Sequence, residues 1–309
     1  FYLQLVAFAL SALGYNLESG AGDAFLYDSL LLDNQESRYM KTKGIDEVLY
    51  QICAIISFVL GGLLASISYA LAFGLTITSN LFALLFALFF TEPEIKKEEV
   101  KRDTRLVGRI FGSIKHQVKD SIRVFRTTTK IAFLILFCEI LFAFMICLFF
   151  YLQNYWTELG YGLDQIGYVF AFHSALAALF SFTASKIESK IGQKGVLLST
   201  PLLLLICLWG VALTPYSMVF YVLLGSVEGL LAPTISSYLN VLIPSAYRAT
   251  ILSFQSMAYS LFMIMIFPLV GWIGSHLGLQ MAFLFMAGIA SLLALLFIVF
   301  LRRTFVSRH

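Results

Sequence analysis

The sequence predicts an all-α polytopic membrane protein with about nine transmembrane helices. Three observations carry that reading. The 309 residues are 60% hydrophobic and only 13% charged, with a mean hydropathy of +0.86; soluble domains carry about 25% charged residues. Apolar runs recur that reach the roughly 20 residues needed to cross a bilayer, too many and too long for one soluble core. Lys and Arg fall only in alternate connections between those runs, the positive-inside pattern of membrane proteins.

In order, the apolar spans are residues 1–32, 46–68, 70–91, 131–155, 164–185, 195–214, 216–243, 249–275 and 277–301. A single helix over 46–91 would be about 69 Å long at ~1.5 Å per residue, twice a bilayer core. The chain is therefore expected to fold back near Ser66–Tyr69. Arg38, Lys41 and Lys43 lie between the first two spans, and Lys186, Lys190 and Lys194 between the fifth and sixth. Arg248 separates the seventh from the eighth, and Arg302, Arg303 and Arg308 follow the ninth. Eleven more stand between Lys96 and Lys130, against four acids, Glu98, Glu99, Asp103 and Asp120. The connections near Ser66–Tyr69, Gln153–Gln165, Thr214–Ser217 and Gly274–Gln280 have none. Basic connections resist translocation, so the first set and the C-terminus are expected in the cytoplasm, in a multi-pass protein of the cell (plasma) membrane. Tyr155, Trp156 and Trp272 then stand near outer ends, where aromatic belts belong. Nine spans with a cytoplasmic C-terminus place Phe1 outside, which calls for an odd number of helices upstream.

Three regions follow: 1–91, a set of three helices; 92–130, a basic cytoplasmic linker; and 131–309, a six-helix half. In the linker, Val107, Ile110, Phe111, Ile114, Val118, Ile122 and Phe125 recur at helical spacing with Lys115, Lys119, Arg123 and Arg126 between them. That pattern predicts an amphipathic helix on the inner membrane surface, serving as a tether. No aromatic platform accompanies it, and no nucleic-acid partner is expected. A faint repeat is also present: Gly61 follows Arg38, and Gly271 follows Arg248, at the same spacing. The four cysteines, Cys53, Cys138, Cys147 and Cys207, all lie in apolar spans without metal-ligand spacing and read as small packing residues.

An ionisable group deep in a bilayer costs roughly 2.5–3.5 kcal/mol at a helix centre, so it lines a cavity or finds a partner. The deep candidates are Glu18, Asp23, Glu139, His173 and Glu228. Glu139 lies about 13 Å in from Lys130 and Glu228 about 18 Å from the outer end of its span, at ~1.5 Å per residue. Carboxyls in apolar surroundings can hold a proton at neutral pH, which makes Glu139 and Glu228 first choices for proton coupling and Asp23 the next. His173 could relay protons, or simply be hydrogen-bonded within the bundle. Tyr221, Gly225, Glu228, Ala232 and Ser236 share one face of the seventh span. That face suits a cavity wall, while Gly225 and Gly229 equally suit close helix packing. Asn16 and Asp23 share a face with Gly20 and Tyr27, and Glu18 points nearly opposite. Gln255 could orient a substrate or join helices. Asp28, Arg38 and Arg248, near the cytoplasmic side, are candidates for a gate or for plain loop contacts.

The first span reads Gly14-Tyr-Asn-Leu-Glu-Ser-Gly-Ala-Gly-Asp-Ala-Phe-Leu-Tyr-Asp-Ser-Leu30. With the basic loop, the stretch Arg248-Ala-Thr-Ile-Leu-Ser-Phe and the six spans after the loop, it resembles bacterial transporters of the major facilitator superfamily. The resemblance covers the whole chain and implies that helices four to twelve of twelve are present. It also exposes departures. Asn16 stands where the fourth-helix motif has an arginine. Ser57-Phe58 replace Gly-Pro ahead of Gly61-Gly62 in the antiporter motif. The loop motif survives only as Ser185-Lys-Ile-Glu-Ser-Lys-Ile-Gly-Gln-Lys194.

The expected function is secondary active transport of a small organic molecule, coupled to protons, with the bilayer, the substrate and the proton as partners. Export of a lipophilic compound is favoured by aromatic residues making up 16% of the chain; nutrient uptake, helped by the altered antiporter motif, and a truncated, non-transporting fragment are the alternatives. An intramembrane enzyme is not expected: there is no Gly-x-Ser-x-Gly, no paired His and no phosphate-loop spacing, features such chemistry would need. No cofactor is expected.

Overall fold

The structure, a computed structural model, describes residues 2–3, 6–14, 25, 29–30, 32–35, 39–91, 129–242 and 248–306. Among them there is no strand. The helices are α1 (Tyr39–Ile67), α2 (Tyr69–Ala87), α3 (Thr129–Glu158), α4 (Leu163–Leu213), α5 (Ser217–Leu242), α6 (Arg248–Leu277) and α7 (Leu279–Val306). All seven are long and apolar enough to cross a membrane. Of the first predicted span, 6–14 is described as helix. The linker, with its amphipathic helix, lies outside the described residues. The fold-back expected near Ser66–Tyr69 falls at Ser68, the one non-helical residue between α1 and α2.

The turn predicted between the fifth and sixth spans, at Lys186–Lys194, is present but far shorter than a loop: α4 takes in both spans over 51 residues and is interrupted only at Gly192. Straight, it would be about 76 Å long. Gly192, at φ 71° and ψ 171°, breaks it into two arms, 163–191 and 193–213. Lys, Glu and Ile sustain a helix, so only the glycine, which takes positive φ without strain, turns the chain.

Contacts between helices fix their directions. Glu139 meets Gln255 and Tyr151 meets Phe267, so α3 and α6 run parallel. Glu228 meets His173 and Tyr238 meets Glu188, so α5 runs parallel to the first arm of α4. Trp156, near the end of α3, meets Ser217 at the start of α5; Phe133, near the start of α3, stacks on Phe300 near the end of α7. Both pairs of helices are therefore antiparallel. If α4 crossed once, α3 and α6 would run in opposite directions. Two crossings for α4, hence six for 129–306, satisfy every contact. Lys130, Lys186, Lys190, Lys194, Arg248, Arg302 and Arg303 then stand at the end of the bundle where Gly192 lies, and Glu158 and Asp164 at the other.

Two compact units are distinguished: Phe1–Ile52 with Phe73–Thr104, and Cys53–Ala72 with Arg105–His309. In the first, Phe25 stacks on Phe90 at 5.2 Å, and the part of α2 it contains is an apolar helix without a buried residue, which suits a lipid or helical surrounding. Asn80 there donates to the Thr76 carbonyl of its own helix at 2.9 Å. In the second, α3 is buried on nearly every side: Leu134, Phe137, Ala143, Phe144, Cys147, Leu148 and Leu152 are all enclosed. A helix hydrophobic all round belongs in such a position. Water exclusion drives its insertion, but packing and hydrogen bonds hold it among neighbours, because lipid tails are as apolar as they are. Residues 53–67 of α1 also cross the start of α4 here. Gly62 backs onto Gly167, and a Cβ on Gly62 would lie 2.6 Å from the Leu163 carbonyl oxygen. The two repeat glycines are not equivalent: Gly61 faces open space, while Gly271 lies against the Tyr151 hydroxyl. Cys138, Cys147 and Cys207 are buried and Cys53 is exposed.

Candidate functional site

Two polar pairs form inside the second unit, each across a helix crossing. The first joins α3 to α6. Glu139 is ten residues into α3, about 15 Å along it, and only 6% exposed. Gln255 Nε2 donates to Glu139 Oε1 at 2.7 Å, a charge-assisted distance if the acid is ionised. About 18 Å further along both helices, the Tyr151 hydroxyl donates to the Phe267 carbonyl at 2.8 Å. α3 and α6 are thus pinned twice, in register.

The second pair joins the first arm of α4 to α5. His173 Nε2 and Glu228 Oε2 are 3.6 Å apart. That is too long for a good hydrogen bond but close enough for attraction whenever the imidazole carries a proton. The His173 side chain is enclosed, whereas that of Glu228 keeps 39% of its surface accessible. The His173 ring stacks on Tyr221 with centroids 4.7 Å apart. Tyr221 in turn is packed edge-on by Trp156 and Phe170. The imidazole is therefore held between an aromatic wall and an accessible carboxylate.

Glycine allows this approach. A Cβ on Gly225 would run into the His173 carbonyl oxygen, and one on Gly229 into the Ala177 carbonyl oxygen. The α5 face carrying Tyr221 and Gly225 is consequently a packing face at its outer half, not a cavity wall; Tyr221 is 3% exposed. Only around Glu228 and Ala232 does that face open.

The remaining candidates are not placed. Asn16, Glu18, Asp23, Asp28 and Arg38 lie outside the described residues. Arg248 opens α6, but its side chain lies outside them too. Two contacts were not foreseen. Trp156 is no belt residue: it is fully buried, and its Nε1 donates to Ser217 Oγ at 2.9 Å. Its place two residues before the end of α3 gives no sign of that, whereas Trp272 is 59% exposed. The Tyr238 hydroxyl donates to Glu188 Oε1 at 3.2 Å, bridging α5 and α4 beside the Gly192 break. Among the described residues no three of His, Cys, Asp and Glu gather to hold a metal ion.

Comparison with known families agrees with this architecture. The Major Facilitator Superfamily profile matches residues 1–218 and, in a second match, 132–308. The second match by itself takes in almost all of α3 to α7. No curated protein sequence matches the chain. Between them the two matches leave only the last residue uncovered, and the chain belongs to the Major Facilitator Superfamily.

Proposed function

We propose that this membrane transporter is a secondary active, proton-coupled carrier of a small organic molecule, oriented with its basic end in the cytoplasm of a cell-membrane protein. One observation carries the coupling: an imidazole and a carboxylate 3.6 Å apart in the bundle interior, with the carboxylate alone reaching accessible space. Such a pair can take a proton from water at Glu228 and share its charge with His173. Glu139, closed off and hydrogen-bonded to Gln255, is a second site where protonation would change how α3 holds α6. Asp23, Asn16 and Glu18 are assigned to the same pathway on their sequence positions, and Asp28, Arg38 and Arg248 to a cytoplasmic gate. Efflux of a lipophilic compound is favoured over nutrient uptake by the aromatic-rich spans.

The test is pH-driven flux in proteoliposomes, with internal acidification read by a trapped dye. Glu228→Gln should abolish proton movement while leaving the protein folded, and Glu139→Gln should weaken its dependence on pH. If both variants retain full pH-dependent flux, the coupling assignment is wrong.

A further inference from the structure

An open pocket of about 540 Å³ lies at the end of the bundle away from Gly192, far along the helices from the two polar pairs. Its size falls in the ~300–1,000 Å³ range of small-molecule sites. Tyr151, Asn154, Thr157 and Glu158 of α3 line one side, and Gly271, Gly274 and Ser275 of α6 the other, with Leu279 at the start of α7. Gly271 and Gly274 let Tyr151 and Leu279 approach α6 closely.

The lining is poor in donors and rich in acceptors. The Tyr151 hydroxyl donates its proton to the Phe267 carbonyl, Thr157 to the Gln153 carbonyl at 2.7 Å, and Ser275 to the Trp272 carbonyl at 2.9 Å. A hydroxyl has one proton to give, so Tyr151 and Thr157 offer the pocket lone pairs only; Ser275 Oγ also lies 3.0 Å from His276 Nδ1, and in either tautomer its proton is engaged away from the pocket. Glu158 adds a carboxylate, and no Lys or Arg lines the site. Two helices also end here, α3 at Glu158 and α6 at Leu277, each bringing the negative end of its dipole. Asn154 is the only lining side chain with donors to spare. His276, next to Ser275, is turned onto Trp272, with ring centroids 4.8 Å apart.

The geometry points to a binding site for an ammonium group, at the entrance to the bundle and separate from the coupling residues. A primary ammonium fits better than a quaternary one, because it supplies the N–H donors that the hydroxyl and carboxylate oxygens lack. The ammonium can come from a free amine or from an ethanolamine lipid headgroup.

Binding of radiolabelled phenethylammonium to the full chain in phosphatidylcholine nanodiscs tests this without any flux measurement, so it can fail while the coupling reading stands, or the reverse. Saturable binding is expected, displaced neither by 2-phenylethanol nor by 3-phenylpropionate, and weaker for benzyltrimethylammonium. Glu158→Gln, at an exposed helix end that should not disturb folding, should weaken it at least about threefold, and Ser275→Leu, which fills the space, should remove it. Equal affinity in phosphatidylethanolamine discs identifies a free amine as the occupant; reduced affinity there identifies the lipid headgroup, and both support the site. No saturable binding, an unchanged Glu158→Gln, or displacement by 3-phenylpropionate would overturn it.

Discussion

Two Gly→Ala substitutions, one in α5 and one in α7, should move stability in opposite directions. At Gly225 a Cβ would collide with the His173 carbonyl oxygen and would also lie 3.1 Å from the Ala177 nitrogen. These are backbone atoms of α4 and cannot rotate away, so the helices must part. Overpacking of this kind costs about 1–3 kcal/mol. Alanine returns ~1 kcal/mol through helix propensity, leaving a net loss of about 0–2 kcal/mol. At Gly288 of α7 nothing lies within 4 Å of the added carbon, so only the gain of ~1 kcal/mol remains. The two variants should then differ by roughly 5 °C in Tm. Cys138, Cys147 and Cys207 are buried, so a dye that fluoresces on reaction with thiols reports unfolding directly. Cys53, being exposed, is replaced by serine throughout to remove its background. Equal shifts in the same direction for Gly225→Ala and Gly288→Ala would refute the close crossing of α4 and α5.

Other outcomes follow from the same contacts. Gln255→Leu leaves the enclosed Glu139 without its donor and should cost about 1–3 kcal/mol; Glu139→Gln keeps an acceptor for Gln255 and should cost less, by the same melting assay. Trp156→Phe and Ser217→Ala each break the 2.9 Å bond in a buried place, and the double variant should lose less than the two singles together, a coupling of about 1 kcal/mol. Gly192 sits at φ 71° and ψ 171°, a region essentially reserved to glycine, so Gly192→Ala and Gly192→Asn should each destabilise by about 1–3 kcal/mol, with no relief from Asn, in the same melting assay.

The order of the described helices from 39 to 306 can be read from the sequence because insertion is decided by local quantities, run length and flanking charge. That is why 46–91 was divided within a few residues of Ser68, and why the basic residues from Lys130 to Arg303 come out at one end of the bundle. The connection at Lys186–Lys194 is rightly placed by its charges but is narrower than they suggest, confined to Gly192. Polar composition marks where a chain leaves the membrane, but Lys, Glu and Ile remain good helix formers there, and only a glycine dihedral angle reveals the turn.

The site was legible residue by residue but not pair by pair. The cost of burying an ionisable group singled out Glu139, His173 and Glu228; no spacing in one chain says which helix lies opposite. Gln255 was noted as polar without a partner, and it proved to face Glu139. The α5 face shows the limit most clearly. Tyr221, Gly225 and Glu228 share it in sequence, and from spacing alone that face suits a cavity or a helix crossing equally. In the structure it serves both, side by side: Gly225 and Gly229 pack on α4, while Glu228 and Ala232 beside them keep accessible surface. That change of surroundings within one turn makes Glu228 a carboxylate anchored in the bundle and still reachable from outside it. Glu139, with the same chemistry and similar depth, is enclosed. Two carboxyls of one chemistry are thus told apart by access alone, 6% of the surface at Glu139 against 39% at the Glu228 side chain, a difference that the packing of neighbouring helices makes and no spacing within one helix records.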